Sequence, residues 1–407
     1  MKNNVAAMIL AGGQGKRMGI LCQERPKPLL PFAGSVRVID FPLSNCVHSR
    51  ISNIAVLIDH QRHKVAQYLK RWHFANADCG NLNVLEPRSC CYATTADAVY
   101  QNLSFLNIYK PESVLILPSD HIYAMDYTDM ISFHQQSCAD LTVGVVKVPI
   151  EEAHRFGNIT MDSDARIMKY IEKPESPQSD IVSMGIFLFN PQSLVEYLDG
   201  DAKAGQDSDR GFERGIIPRM TKKCRVFAYE FKDHWSDIGN IQAYYNANLE
   251  LVEERNSLSI EEWPIISEST KKFLPLQKCH PNIRNSIVCP GSVVKGFVEN
   301  SIISPGVSVE EAAVVSNSVL MDCTSVGYHS RVEACVLDER VKIGEFCSIG
   351  DLFPETEENQ PEITVLGKGV KVPSYTTIDS NRTVAPYSSL EETAEDSPGS
   401  EYVVSRR

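Results

Sequence analysis

The sequence predicts an α/β domain with a mostly parallel mixed sheet, followed by a parallel β-helix. Two periodicities support this fold class. Up to about residue 254, short apolar runs alternate with helical patterns, whereas beyond residue 279 an aliphatic residue recurs at about every sixth position. A chain of 407 residues is long enough for two to three domains. We therefore predict a first domain over 1–254, a linker over 255–279, a β-helix over 280–390 and a disordered acidic tail over 391–407.

The first domain alternates strands with helices. Strands separated by helices form parallel βαβ units, so we expect a twisted sheet covered on both faces. Ligands of such sheets bind at the carboxyl ends of the strands. The predicted strands are Val5–Leu10, Ile54–Ile58, Ser113–Leu117, Leu141–Val146 and Ile186–Phe189, and the predicted helices are Ser44–Ser49, His63–Arg71, Ala96–Ile108, Tyr127–Cys138 and Pro191–Leu198.

The second half repeats with a coil length of 17 residues, from Ile303 to Leu320 to Leu337. Each coil of a β-helix buries aliphatic side chains against the coils beside it. A β-sandwich is the alternative, but three successive coils of equal length favour the β-helix. The acidic segment Asp351–Glu362 interrupts the series and is interpreted as an exposed loop. The predicted inward residues are Ile303, Val309, Val315, Leu320, Val326, Val332, Leu337, Ile343, Ile349, Leu366, Val372 and Ile378.

Composition excludes several classes of protein. The 52 acidic and 40 basic side chains give a net charge of −12, which argues against sequence-independent binding to nucleic acid. No apolar run approaches the roughly 18 residues of a membrane-spanning helix, so no membrane partner is expected. The apolar run Val5–Ala11 leads directly into glycines and is interpreted as a buried strand, not as a signal peptide. Twelve cysteines without a CxxC pair indicate reduced thiols and a cytoplasmic location.

A glycine-rich turn and a stiff basic loop lie near the N-terminus. The segment Leu10–Arg17 (LAGGQGKR) follows the first strand, and its Gly12, Gly13 and Gly15 would allow backbone N–H groups to approach phosphate oxygens. The segment Arg25–Pro28 holds Lys27 between two prolines. Alone, these features fit an ordinary turn and a solvated surface charge as well as a phosphate site.

The motifs together resemble the sugar-1-phosphate nucleotidyltransferases. The first is the run ILAGG from residue 9, followed by Arg17, PKP from residue 26 and FAG from residue 32. RVIDF from residue 37 and LSNC from residue 43 are typical of the ADP-glucose pyrophosphorylase (glucose-1-phosphate adenylyltransferase) family. Matches continue with TADA from residue 95, SDHIY from 119, EKP from 172, SMG from 183 and WSDIG from 235.

This resemblance implies a fold and a reaction. The first domain would be a Rossmann-like, GT-A-like nucleotidyltransferase domain, and the β-helix would be left-handed. The reaction would join ATP and α-D-glucose 1-phosphate to give ADP-glucose and pyrophosphate. It also implies a homotetramer, and a metabolite effector could act at the junction of the two domains.

The resemblance also implies roles for individual residues. Arg17, Lys27 and Asp120 would be catalytic, and Asp120 with Asp237 would bind Mg²⁺. The nucleotide would contact Gly12, Gly13, Gly15, Tyr92 and Thr95, and the sugar phosphate would contact Gly157, Glu172, Lys173, Ser183 and Gly185. From the residues alone, a helix N-cap or turn role for Asp120 and a loop role for Asp237 are favoured over metal binding, and the alternatives for Tyr92 and Lys173 are a core residue and a surface charge.

Two departures from the family pattern keep alternatives open. Thr94 replaces a glycine, and its β-carbon could narrow the nucleotide pocket or require another backbone angle. Gly211–Gly215 lacks the usual acidic pattern, so carboxylate contacts are expected to be lost there. The alternatives to adenylyl transfer are therefore guanylyl transfer, uridylyl transfer and the role of a regulatory subunit without catalysis. Retention of the charged residues argues against the regulatory subunit.

Overall fold

The computed structural model describes residues 4–203, 211–252, 263–268, 281–350 and 362–390. These residues group by their contacts into two units. The first unit comprises 4–13, 39–203, 211–235 and 266–268, and the second comprises 14–38, 236–252, 263–265, 281–350 and 362–390. The predicted boundaries at 254, 279 and 390 stay predictions. Most of the predicted linker, the segment 351–361 and the tail 391–407 lie outside the described residues.

Strands and helices up to residue 252 follow the alternating pattern. In chain order the strands are β1 (Val5–Ala11), β2 (Pro31–Phe32), β3 (Val36–Arg37), β4 (Asn53–Ile58), β5 (Asn81–Leu85), β6 (Ser113–Pro118), β7 (His121–Tyr123), β8 (Leu141–Lys147), β9 (Gly157–Met161), β10 (Ile167–Glu172), β11 (Ile181–Phe189), β12 (Val226–Glu230) and β13 (Trp235–Asp237). The helices are α1 (Asp40–His48), α2 (Arg62–Ala75), α3 (Thr95–Gln101), α4 (Ser104–Tyr109), α5 (Tyr127–Gln136), α6 (Pro191–Lys203), α7 (Ile217–Met220) and α8 (Ile241–Leu249).

The first unit is built around a mixed sheet with β1 at its centre. The strand order is β10-β9-β11-β6-β1-β4-β5, and β8 pairs with β11 and β12. Strand β1 pairs in parallel with β4 on one side, where Ala11 lies opposite Ile58, and with β6 on the other, where Leu10 lies opposite Pro118. The chain passes from β1 outward to β4 and β5 and then returns to β6 on the other side of β1. The strand order therefore reverses beside β1, and α/β sheets bind ligands at the carboxyl ends of strands at such a point.

The predicted strands of this sheet are all present, and most helices agree with prediction. The prediction of one continuous helix over Ala96–Ile108 was wrong, because the helix is interrupted between α3 and α4. Asn102 ends α3, and its side-chain Nδ2 donates to the Ala98 carbonyl at 2.9 Å. A side chain that bonds to nearby backbone in this way competes with the helix.

The second unit contains a β-helix of three parallel sheets. Its strands are β14 (Ile283–Arg284), β15 (Ile287–Val288), β16 (Val293–Val294), β17 (Phe297–Glu299), β18 (Ile302–Ile303), β19 (Ser308–Val309), β20 (Val314–Ser316), β21 (Val319–Leu320), β22 (Ser325–Val326), β23 (Arg331–Glu333), β24 (Cys335–Leu337), β25 (Lys342–Ile343), β26 (Ser348–Gly350), β27 (Thr364–Leu366), β28 (Lys371–Val372), β29 (Thr377–Ile378) and β30 (Thr383–Val384).

The repeat of the β-helix confirms the sequence prediction. Ile303 pairs with Leu320, and Leu320 pairs with Leu337, so each step is one coil of 17 residues. All twelve predicted inward residues belong to one buried core. Leu337 next pairs with Leu366, so the interruption adds residues to one coil without shifting the register. These parallel sheets are the arrangement expected of a left-handed hexapeptide β-helix.

A search of the described ranges for a membrane-spanning helix finds none that is long and apolar enough.

Candidate functional site

Three strands of the first unit end beside one another, and each is followed by a candidate residue. Gly12 follows β1, Asp59 follows β4 and Asp120 lies just after β6. A β-carbon added at Gly12 would lie 3.2 Å from Asp59 Cβ and 3.6 Å from Tyr92 Cδ2. At Gly13 an added β-carbon would meet no described atom within 4 Å. In the glycine turn, Gly12 is therefore packed against side chains, whereas Gly13 faces open space.

Asp59 fixes the predicted nucleotide residue Tyr92, although the sequence analysis did not select it. The Tyr92 backbone N–H donates to Asp59 Oδ2 at 2.9 Å. The Tyr92 hydroxyl donates to the Leu85 carbonyl and accepts from Asn102 Nδ2 at 2.9 Å. Burial raises the pKa of Tyr92 to about 12, so its hydroxyl stays protonated at neutral pH. Tyr92 can therefore pack or donate a hydrogen bond, but it is not a base.

Thr95 at the start of α3 contacts a carboxylate of the Gly211–Gly215 segment. Its Oγ1 donates to Glu213 Oε2 at 3.2 Å. Glu213 is partly buried, and this burial together with the charge of Glu172 raises its pKa. Glu213 is thus one carboxylate that Gly211–Gly215 does supply, and the loss of the contacts made by the family's usual acidic residues stays a prediction.

Thr94 does not strain the backbone. It adopts φ −152° and ψ 176°, an extended conformation open to any residue. Its Oγ1 accepts from the Asp97 backbone N–H at 3.2 Å and thereby caps α3. The expectation that Thr94 would require another backbone angle is therefore not met.

The predicted sugar-phosphate residues gather where β9 and β10 pair. Gly157 lies opposite Glu172 in the antiparallel register. A β-carbon at Gly157 would come within 2.2 Å of Tyr170 Oη, so only glycine leaves room for this tyrosine. The Tyr170 hydroxyl donates to Glu172 Oε2 at 3.3 Å and orients that carboxylate.

Lys173 extends from the same place. Its φ is +49°, a left-handed conformation that is uncommon for a side-chain-bearing residue and is concentrated at functional sites. Its backbone N–H donates to the Phe156 carbonyl at 3.0 Å, and its half-exposed Nζ lies 3.5 Å from Glu172 Oε1. An ammonium and a carboxylate are thus presented side by side.

Ser183 and Gly185 on β11 complete the group in the first unit. The Gly185 N–H donates to Ser183 Oγ at 3.1 Å, and Gly185 has φ +70°. A β-carbon there would lie 3.7 Å from the ring of His121. His121 Nδ1 accepts from Trp235 Nε1 at 3.3 Å, which places its remaining proton on Nε2, 3.8 Å from Asp120 Oδ1.

The second unit brings the remaining candidates together. Gly15 has φ +63°, and a β-carbon there would lie 3.2 Å from Lys27 Cβ. Arg17 and Asp237 flank Gly239, where an added β-carbon would be 3.5 Å from Arg17 Nη1 and 2.9 Å from Asp237 Oδ2. Lys27 is only 7% exposed, so the alternative of a solvated surface charge was wrong.

The candidates therefore form two groups. The first unit holds Gly12, Gly13, Tyr92, Thr95, Asp120, Gly157, Glu172, Lys173, Ser183 and Gly185, and the second holds Gly15, Arg17, Lys27 and Asp237. The pairing of Asp120 with Asp237 over one cation stays a prediction. Across the described segments, no group of three or more His, Cys, Asp or Glu side chains could hold a metal by itself.

Comparison with known proteins identifies the family. A nucleotidyl transferase family matches residues 6–254, and a GlmU-like C-terminal hexapeptide family matches residues 270–373. The chain is 36% identical to the glucose-1-phosphate adenylyltransferase of Desulfitobacterium hafniense (strain DSM 10664 / DCB-2), over 94% of this chain and 98% of that protein. The proteins of the same name from Acetivibrio thermocellus and Fervidobacterium nodosum are 35% and 38% identical, over 96% and 89% of this chain and 95% and 91% of their own lengths. Similarity over nearly the whole of both chains shows that this protein belongs to the glucose-1-phosphate adenylyltransferase family.

Proposed function

We propose that the protein is a glucose-1-phosphate adenylyltransferase, which converts ATP and α-D-glucose 1-phosphate into ADP-glucose and pyrophosphate. The observation that carries this proposal is the 35–38% identity to proteins of that name along almost the entire chain. Its product would serve the synthesis of glycogen or another α-glucan. The clusters described above supply the charges that the reaction needs.

The chemistry requires positioning more than proton transfer. The second pKa of a phosphate monoester is about 6, so the sugar phosphate already carries a nucleophilic oxygen at neutral pH. That oxygen bonds to the α-phosphorus of ATP while the bond from this phosphorus to the bridging oxygen breaks, and pyrophosphate leaves. Arg17 and Lys27 would neutralise the triphosphate and the charge that develops on the leaving group.

The sugar phosphate would be bound by the group around Gly157. The Lys173 ammonium would bind its phosphate as a point charge, and Glu172 would accept hydrogen bonds from sugar hydroxyls. Tyr170 holds one Glu172 oxygen, which leaves the other toward Lys173.

The oxygen donors present fit a divalent cation. Mg²⁺ takes one or two carboxylates and completes its octahedron with water and substrate phosphates. We propose that Asp120 and Asp237 would hold Mg²⁺. When bound, the ion would supply charge neutralisation to the phosphates.

Assembly, regulation and location are also proposals. The family resemblance supports a homotetramer and a metabolite effector at the domain junction. No disulfide joins the eleven cysteines in the described ranges, which supports a cytoplasmic location.

A substrate panel tests the proposed reaction. ATP, GTP and UTP would each be supplied with glucose 1-phosphate and with mannose 1-phosphate, and nucleotide sugar would be quantified by chromatography. We expect ATP with glucose 1-phosphate to give the highest kcat/KM. Preference for GTP, UTP or mannose 1-phosphate would assign another nucleotidyl transfer, and inactivity with every pair would favour the regulatory subunit.

A further inference from the structure

Within the second unit, hydrogen bonds through helix α8 connect the segment 14–38, which carries Arg17 and Lys27, to the β-helix. The hydroxyl of Tyr244 on α8 donates to the Pro31 carbonyl at 2.6 Å, and Asn248 Oδ1 accepts from the Ala33 N–H at 3.0 Å. The neighbouring Tyr245 hydroxyl donates to the Asn317 carbonyl of the β-helix at 2.6 Å. Helix α8 thus bonds to the segment 14–38 and to the β-helix.

A buried ion cluster makes a second and more direct connection. Arg25 Nη2 lies 2.6 Å from Asp338 Oδ1 and 3.2 Å from Glu339 Oε2. Glu339 also contacts Arg37 at 3.5 Å and Lys368 at 2.7 Å. Arg37 further faces Asp322 at 3.8 Å, so three cations balance three carboxylates. Arg25 and Asp338 are both almost completely buried.

This cluster is not optimised for stability alone. Asp338 Oδ2 is buried and has no hydrogen-bond partner in the described part of the chain. Buried ion pairs often contribute less to stability than apolar residues of the same size, whereas they can fix one geometry among several. The arrangement therefore suits a role in specifying the position of Arg25.

Arg25 is joined to Lys27 by a stiff piece of chain. Pro26 fixes the backbone between them, and Pro28 follows within a short 3₁₀ turn, Lys27–Leu29. The Leu29 N–H donates to the Pro26 carbonyl at 2.9 Å, and the Leu30 N–H donates to the Lys27 carbonyl at 3.0 Å. Burial and ion pairing restrict the torsions of the Arg25 side chain, and the proline and the turn restrict the backbone, so the position of the Arg25 guanidinium constrains that of the Lys27 backbone.

We propose that Asp338 and Glu339 of the β-helix are positioning residues for Lys27 and that they act through Arg25. This inference rests on the proposed function for its effect on turnover, but not for its effect on the loop. The β-helix then contributes to the reaction by holding a cation at the reacting phosphates, although its own side chains do not touch substrate.

The test uses the full chain with Asp338→Asn and, as a second variant, Glu339→Gln. Each change removes one charge and keeps the shape. In Asp338→Asn the amide oxygen would still accept from the Glu339 N–H, which now bonds Asp338 Oδ1 at 2.6 Å. Glu310→Gln is the control, because Glu310 forms an exposed pair with Lys295 on the same β-helix. Two variants keep the test informative if one of them fails to fold.

The first measurement is hydrogen exchange of the Leu29 and Leu30 amides without substrates. We expect faster exchange in both cluster variants and no change in Glu310→Gln. Unchanged exchange in folded cluster variants would overturn the inference, whatever reaction the protein catalyses.

The second measurement is a double-mutant cycle with Lys27→Ala. Misplacing a catalytic group by about 1 Å can cost on the order of 100-fold in rate, so we expect Asp338→Asn to lower kcat about 10- to 100-fold in the wild-type background. In the Lys27→Ala background the same change should cost less than about twofold, because there is no lysine left to misplace. Equal losses in both backgrounds would overturn the inference in favour of a purely structural role. A wild-type protein that forms no ADP-glucose would instead reject the proposed function, and hydrogen exchange would still decide the positioning role.

Discussion

Charged groups of the first unit and the Arg25 cluster of the second unit differ in their exposure. In the first unit, Asp120 and Lys173 extend from the ends of β6 and β10, and about half of the Lys173 side chain is exposed. In the β-helix unit, Asp338 and Glu339 are packed against Arg25 in a neutral cluster. Charges that remain accessible can bind substrate, whereas charges that are buried and paired define geometry. The same residue types are therefore proposed to bind substrate where they are accessible and to define geometry in the buried Arg25 cluster.

The largest expected effect comes from the carboxylates that we assign to the metal, one in each unit. Asp120→Ala and Asp237→Ala should each lower kcat by on the order of 1,000-fold, because the cation loses a ligand where phosphate charge must be neutralised. The measurement is steady-state turnover at saturating Mg²⁺, with Asp164→Ala on an exposed turn as the control. Near-normal turnover of either variant would show that the residue is not a metal ligand, and it would leave the other unit as the source of the carboxylate ligand.

The β-helix should be sensitive to changes in its core. Val326→Asn and Ile343→Asn should each destabilise it by about 2–5 kcal/mol, combining lost apolar burial with an unsatisfied amide. Chemical denaturation measures the loss. Val293→Asn is the matched control, since Val293 is about half exposed on the same β-helix. Equal stability of the Val326 and Val293 variants would contradict the stacked core.

The sequence predicted the β-helix better than the first unit for a physical reason. In the β-helix each coil packs in the same way against its neighbours, so Val309, Val326 and Ile343 occupy equivalent positions. The repeat period in the sequence is therefore sufficient to identify them. In the first unit, contacts join distant residues without a period. Thr95 and Glu213 are far apart in sequence, and nothing local in the Gly211–Gly215 segment indicates that its glutamate bonds to Thr95.

Other misses have the same origin. Asp59 follows a strand like many loop residues, and only the fold shows that it holds the Tyr92 backbone. Lys27 was placed by the sequence on a stiff loop, and only the fold shows that its side chain is buried. Motifs thus selected most of the candidate residues, whereas their supporting contacts required the structure.

Lys173→Ala tests whether an accessible charge of the first unit binds substrate. A hydrogen bond to a charged group contributes about 1.5–3 kcal/mol, so the KM for glucose 1-phosphate should rise about 10- to 100-fold while that for ATP changes less. Steady-state kinetics with each substrate varied in turn would show this. A loss confined to ATP would place Lys173 at the nucleotide instead.

The smallest effect concerns Glu213. Burial and the charge of Glu172 raise its pKa, so the folded chain holds this proton more tightly than the unfolded chain does. The free energy of unfolding should therefore fall as pH rises from the ordinary glutamate pKa through the raised one, and Glu213→Gln should remove that fall. Thermal unfolding from about pH 4 to 8 measures it, with an expected gain at neutral pH of less than about 1 kcal/mol. A pH profile parallel to that of the wild type would contradict the raised pKa.

The central claim is that both units serve one adenylyl transfer. In the most direct measurement, the full chain receives ATP and labelled glucose 1-phosphate, and both ADP-glucose and pyrophosphate are quantified. The same assay is run on the full-length variant Lys27→Ala, which changes a residue of the second unit. We expect equal amounts of the two products from the wild type, and about 100-fold slower formation of both by Lys27→Ala, whose cation no longer stabilises the leaving group. Pyrophosphate without ADP-glucose, or wild-type rates from Lys27→Ala, would contradict this account.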